Sequence, residues 1–168
     1  MRKEMEVHDN NFNEMTPAPS VIDVAALLKQ FLRELPLPII PKIFHLTLAA
    51  SFNSSSNECV RVENLMICLL LIPAEHLAAL SFLLRHLHTV ARSSELNKMT
   101  AENIAIVLTP NLLPVQDTVQ LVSANSSKVD KKLVETNNQR LKLHTKMLEM
   151  MILNSDKVGF VNQTILER

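Results

Sequence analysis

One glycine serves the whole chain: Gly159, ten positions from the C-terminal end of 168 residues. Phosphate-cradling loops and nucleophile elbows need glycine where the backbone must approach a ligand or turn sharply. Residues 1–158 therefore hold no Walker loop, no GxGxxG dinucleotide fingerprint and no GxSxG elbow. Tight glycine-dependent hairpins are unavailable as well, which argues against a meander of short strands. What remains is helix. Apolar residues make up 47% of the chain, enough for one ordinary core at this length.

Charge narrows the partners. Seventeen basic and seventeen acidic side chains cancel, so no general field draws the chain to nucleic acid or acidic lipid. Tyr and Trp are absent, which removes the usual base-stacking platform. Cys59 and Cys68 are nine residues apart. On one helix that is a rotation of about 900°, which sets them on opposite faces, and two isolated thiols of this kind suit a reducing compartment. Met1–Met15 is polar and acidic rather than a signal peptide. The longest apolar run, Leu65–Pro73, is about half a bilayer span. The expectation is a cytoplasmic protein with weak membrane association or none.

Periodicity and punctuation divide the chain into a polar segment 1–20, a helical domain 21–154 and a tail 155–168. Ser20 is placed to cap a helix over 21–35, whose apolar positions Val24, Leu28 and Leu32 are flanked by Leu27, Phe31 and Leu35. The prolines of "PLPIIP" (36–41) end it and hold an extended connector. A short helix is expected over 42–51, and another over 58–71 through Val60, Leu65, Cys68 and Leu69. Pro73 and Glu75 open the helix 73–92, lined by Leu77, Leu80, Leu84, Leu87 and Ala91. Thr100 caps a helix over 101–108 that Pro110 terminates. A polar stretch (115–127) leads to a long helix, 129–153, with an apolar face of Leu133, Leu141, Leu148 and Ile152.

Catalytic patterns are missing. His76, His86 and His88 form no HExxH pair, and side chains two apart on a helix point about 160° apart. No metal or cofactor is expected. The carboxylates show no acid/base pairing, and Ser54–Ser56 sit in a loop without nucleophile context. The stretch 126–146 carries six basic and two acidic residues. It reads either as a solvated face or as a weak patch for anionic lipid or an acidic partner.

Two features stand apart. Lys29 and Arg33, four residues apart, project from one face of a helix that runs into a proline-constrained turn. In "NKMTAENIAIVLTPNLLP" (97–114), Asn111 lies between Pro110 and Leu112, where an amide at a fixed helix terminus is a good hydrogen-bonding probe.

The segments "VAALLKQFLRELPLPIIP" (24–41) and "LLLIPAEHLAALSFLLRHLHTVARSSELNKMTAENIAIVLTPNLL" (69–113) closely resemble the Rho GTPase-activating protein (RhoGAP) domain. The family pattern reads LLKxxLRxLPxPL, LPxxNxxxLxxLxxHLxxV and NxMxxxNLAxxxxPxL in that order. The resemblance implies a single all-α helical domain that binds a Rho-family small GTPase in its GTP form and promotes GTP hydrolysis in the partner's site. It places Lys29 and Arg33 at the paired basic positions of the GTPase-binding groove and Asn111 at the asparagine that contacts the GTPase. Pro110 and the Asn97–Met99 turn shape the same face. Ala74–His76 departs from the pattern, which has an asparagine there.

The larger departure concerns the family's arginine-finger loop, GIFRxSG, which belongs ahead of these motifs. No GxxRxxG occurs, and Arg2 lacks both glycines. The expectation is a RhoGAP-type domain lacking its first helices and its catalytic arginine. Such an arginine contributes ~10³–10⁵ in rate, or roughly 4–7 kcal/mol. The chain has no catalytic site of its own. It would be a weakened GTPase activator, with a finger-less scaffold or competitor, or a poorly folded fragment, as the alternatives.

Overall fold

The computed structural model describes residues 20–115 and 129–160. The expectations for the polar segment, the arginine finger, most of the 115–127 stretch and the end of the tail fall outside them. Among the described residues the structure is helical throughout, without strands: α1 (Val21–Glu34), α2 (His45–Asn53), α3 (Glu58–Leu69), α4 (Ala74–Arg92), α5 (Ser94–Asn97), α6 (Ala101–Leu112) and α7 (Val129–Leu153). A 3-10 turn over Lys42–Phe44 leads into α2, where one short helix was expected. The one-turn α5 has no counterpart in the sequence reading.

Helix starts follow side-chain chemistry. Ser20 and Asp23 form a reciprocal capping box on α1, which satisfies amides that have no intrahelical partner. Asn57 caps α3 through the Cys59 amide at 2.9 Å, and Thr100 caps α6 through the Asn103 amide at 3.1 Å. After α7 the chain turns back through Gly159, whose φ of 85° is a conformation that L side chains rarely adopt.

The long helix α7 is the spine, in contact with α2, α3, α4 and α6. Its buried face carries His144, Met147, Leu148, Met151 and Ile152. Leu148 and Ile152 are as expected, but Leu141 is exposed, and the side chain of Leu133 is not among those described. Helix α4 buries Leu80, Leu83, Leu84 and Leu87, with Leu77 and Ala91 packed at the margin, so its stripe stands as read. In α3 the buried set is Val62, Leu65, Met66, Cys68 and Leu69. Val60 is exposed instead, on the side of the helix away from the buried Val62, Leu65 and Leu69. Cys68 is buried and Cys59 exposed, both as free thiols.

Helix α1 is an outer element, packed on α6. Leu32 is its buried residue, with Leu28 and Leu35 partly covered. Val24, expected among the apolar positions, and Leu27 and Phe31, expected to flank them, are 52%, 66% and 57% exposed. The described residues place no element over that side.

Candidate functional site

The cleft end of α1, the connector that follows it and the far end of α6 meet around an open depression of about 800 Å³. Arg33 and Leu32 of α1 form one wall, Pro36–Pro38 and Pro41–Ile43 the second, and Pro110, Asn111 and Pro114 the third, with His76 of α4 contributing from beneath. Two cations, Arg33 and Lys42, line the cleft and no carboxylate does. Among the described residues the one ion pair is Lys146–Glu149 at 2.9 Å, so both cleft cations remain available to an acidic partner. Lys29 is half-buried one turn earlier on the same helix. It shares a face with Arg33, as four-residue spacing requires, but does not itself line the cleft.

Pro110 does not end α6. The helix runs through it to Leu112, which corrects the expected stop at 108. A proline inside a helix removes one N–H donor and strains the preceding turn. Here Leu108, Leu112 and Leu113 are buried, and the Leu113 amide still closes on the Thr109 carbonyl at 2.8 Å. Core burial around the proline outweighs its local cost. Thr109, fully buried, satisfies its hydroxyl by donating to the Ala105 carbonyl at 2.7 Å. Asn111 therefore stands within the last helical turn rather than beyond it. Its Nδ2 donates to the Val107 carbonyl at 3.2 Å.

The Asn97–Met99 turn lies elsewhere. Asn97 accepts from the Met99 amide at 2.8 Å and donates to the Val90 carbonyl at 2.8 Å. Asn103 reaches back to the Lys98 carbonyl at 3.0 Å, and Lys98 adopts a left-handed φ of 59°. These bonds lock the entry of α6. The helix rises about 1.5 Å per residue, so a span of twelve residues separates this turn from Asn111. Asn97 and Met99 support the position of α6 from its opposite end and are not brought to the cleft.

Lys42 was not expected at the site, and His76 stood out in the sequence only among the histidines weighed for a metal and within the Ala74–His76 departure from the family pattern. Among the described residues no three His, Cys, Asp or Glu side chains come together in a way that would hold a metal ion. His45, His76, His88 and His144 are instead bonded to backbone carbonyls. His76 Nδ1 lies 3.2 Å from the Ile39 carbonyl, His45 Nε2 3.0 Å from that of Ile40, and His144 Nδ1 2.9 Å from that of Leu113. Burial lowers the pKa of His45 below the ordinary histidine value. The bond to Ile40 opposes that shift, and the neighbouring His144 and Lys42 reinforce it. No local sequence signal marks these contacts, since the partners of His76 and His144 are 37 and 31 residues away.

Comparisons with known proteins bear on this architecture. The RhoGAP domain family profile matches residues 1–117. The human Rho GTPase-activating protein 11A is 32% identical over 146 residues, covering 87% of this chain and 13% of that protein. The GTPase-activating protein rrc-1 of Caenorhabditis elegans is 31% identical over 142 residues, 84% of this chain and 17% of its own length. The chain thus spans under a fifth of either relative. The crystal structure of the BH domain from Graf, the GTPase regulator associated with focal adhesion kinase, superposes with a TM-score of 0.70 at 21% identity. It covers 89% of this chain and 72% of that domain, a likeness of fold. By the extent of the profile match, this all-helical chain belongs to the RhoGAP domain family.

Proposed function

We propose that this chain docks a Rho-family GTPase in its GTP-bound form through the cleft between α1 and α6 and promotes hydrolysis in the partner's nucleotide site. The observation that carries the reading is the convergence of Arg33 and Asn111, from helices far apart in sequence, on one cleft that also holds Lys42 and is lined by no acid. Charge of one sign in a concave surface favours and steers an acidic partner. Lys29 extends the basic face along α1. A cytoplasmic site of action, weak or no membrane association and no nucleic-acid partner belong to the same reading. No helix among the described residues is long and apolar enough to cross a membrane.

A second reading, binding without efficient acceleration, has its own support. Promotion of phosphoryl transfer calls for an arginine that reaches the charge developing on the transferred group. Arg33 is the one arginine lining the cleft among the described residues, and the resemblance gives it a docking role. Single-turnover hydrolysis of GTP by Rho- and Rac-type GTPases, with and without this protein, separates the two. Acceleration beyond about tenfold, worth roughly 1.4 kcal/mol of barrier, supports the activator. Saturable binding without acceleration supports the competitor. No binding to any GTP-loaded partner overturns both.

A further inference from the structure

The second wall of the cleft has little structure of its own. Between α1 and α2 the chain passes through Pro36, Pro38 and Pro41, each without a backbone donor. Among the described residues the backbone bonds of this connector are those of its 3-10 turn, Phe44 N–H to the Pro41 carbonyl and His45 N–H to the Lys42 carbonyl. The Ile39 and Ile40 carbonyls accept no backbone N–H there, and are taken instead by two histidines from two different helices. His76 of α4 reaches Ile39 and His45 of α2 reaches Ile40. A carbonyl only accepts, so the bonded nitrogen must carry the hydrogen: Nδ1–H in His76 and Nε2–H in His45. Both rings are thereby held in one tautomer, and two successive peptide groups of the wall are pinned to the helical core.

We propose that His45 and His76 are positioning residues for partner docking: by gripping consecutive carbonyls of the Pro36–Pro41 wall from α2 and α4, they set its place relative to Arg33 and Asn111. The inference rests on the reading of this cleft as a GTPase-docking surface. His45 is buried, so its bond also serves the core. His76 is half-buried and lines the cleft, which makes it the cleaner probe. A control is built into the fold. His88, also on α4, makes the same kind of bond, Nδ1 to the Ile152 carbonyl at 3.0 Å, at a place that does not line the cleft.

The tautomers dictate the rescues. An asparagine amide projects a donor near the position of a histidine Nδ1, and a glutamine amide near that of Nε2. His76→Ala, His76→Asn, His45→Ala, His45→Gln and His88→Ala are to be compared in the full chain. The measurements are affinity for a Rho-family GTPase loaded with a non-hydrolysable GTP analogue, thermal midpoint, and amide exchange at Leu37, Ile39 and Ile40 without partner. The expected result is a loss of affinity of about five- to tenfold in His76→Ala, the scale of one net hydrogen bond, with faster exchange in the connector. His76→Asn and His45→Gln recover wild-type affinity to within about twofold of it, and His88→Ala lowers the midpoint while binding normally. The proposal is overturned if His76→Ala keeps wild-type affinity and exchange, if His76→Asn fails to rescue, or if His88→Ala loses affinity equally. A wild-type chain that binds no GTPase overturns the docking reading itself. Connector exchange then still decides whether the histidines hold the wall.

Discussion

The rings of His45 and His144 meet edge to face, 6.2 Å between centroids and 75° between planes, and each has a ring nitrogen bonded to a carbonyl beside the cleft. This contact joins α2 to the spine helix α7 and puts two titratable groups inside the core. With Lys42 close by, it is a poor place to add positive charge.

Acid should therefore loosen the fold through His45. Its pKa when folded lies below the ordinary 6.5, chiefly through burial, while the unfolded chain keeps the ordinary value. As pH falls below that value, the unfolded state binds the proton more readily and gains on the native state. The stability held by the neutral ring is complete above the ordinary value and is lost as pH falls through the lowered one. Urea unfolding at about pH 7.5 and about pH 5.5 should show a lower midpoint in acid, and a smaller drop for His45→Gln. Equal drops in the two proteins would remove His45 from the account.

Within the basic pair, Arg33 and Lys29 should not be equivalent. Arg33 lines the cleft and Lys29 sits beside it. Arg33→Ala is expected to weaken binding of a GTP-loaded Rho-family protein by about tenfold or more, and Lys29→Ala by about two- to threefold with a flatter salt dependence. Titration calorimetry at two ionic strengths reads both. A larger loss at Lys29 would move the docking surface up α1 and away from the connector.

Two asparagines on either side of α6 separate support from contact. Asn97→Ala removes both bonds that close the turn ahead of α6, at an expected cost of about 1–2 kcal/mol in stability. Its affinity for a GTPase should be unchanged. Asn111→Ala removes an amide at the cleft whose bond is to its own helix, so it should lower affinity more than it lowers the thermal midpoint. The reverse pattern would exchange their roles.

Core energetics give a check that needs no partner. Phe52 is fully buried in α2. The Arg61 guanidinium stacks 4.1 Å above its ring and donates Nε–H to the Phe52 carbonyl at 3.0 Å. Phe52→Ala should cost about 3–5 kcal/mol, for the lost transfer energy and the cavity left behind. Arg61→Ala should cost less, about 1–2 kcal/mol, as the loss of one hydrogen bond and one cation–π contact at a partly exposed site. Denaturant melts of the two variants would rank them.

The sequence made helix identity legible, and much less of what each helix touches. Ser20 and Thr100 announced their caps because capping is a local bargain between a hydroxyl and an amide three residues on. The α4 stripe was legible because one face of that helix is covered from Leu77 to Ala91. Periodicity placed Val24, Leu27 and Phe31 on an apolar face of α1 correctly, but it cannot say whether a neighbour arrives to cover that face. Val60 and Leu141 failed for the same reason. Pro110 misled because a local penalty was read without the burial of Leu108, Leu112 and Leu113 around it. The cleft was half legible: the motifs supplied Arg33 and Asn111. Lys42 and His76 entered only when the chain was folded, since nothing in their surroundings marks them.

The one-sided seating of α1 makes it a cantilever. Among the described residues its clamp runs over Leu28, Leu32 and Leu35, with α6 as its neighbour, and Val21 and Ile22 at the other end are 86% and 79% exposed. An element with few buried contacts has little local stability to resist displacement. A rod held at one end deflects least at its root, which is where both Lys29 and Arg33 lie between Leu28 and Leu35, and increasingly toward Val21. A partner pressing on this helix would meet two cations mounted on its stiff root, with the compliant tip beyond them.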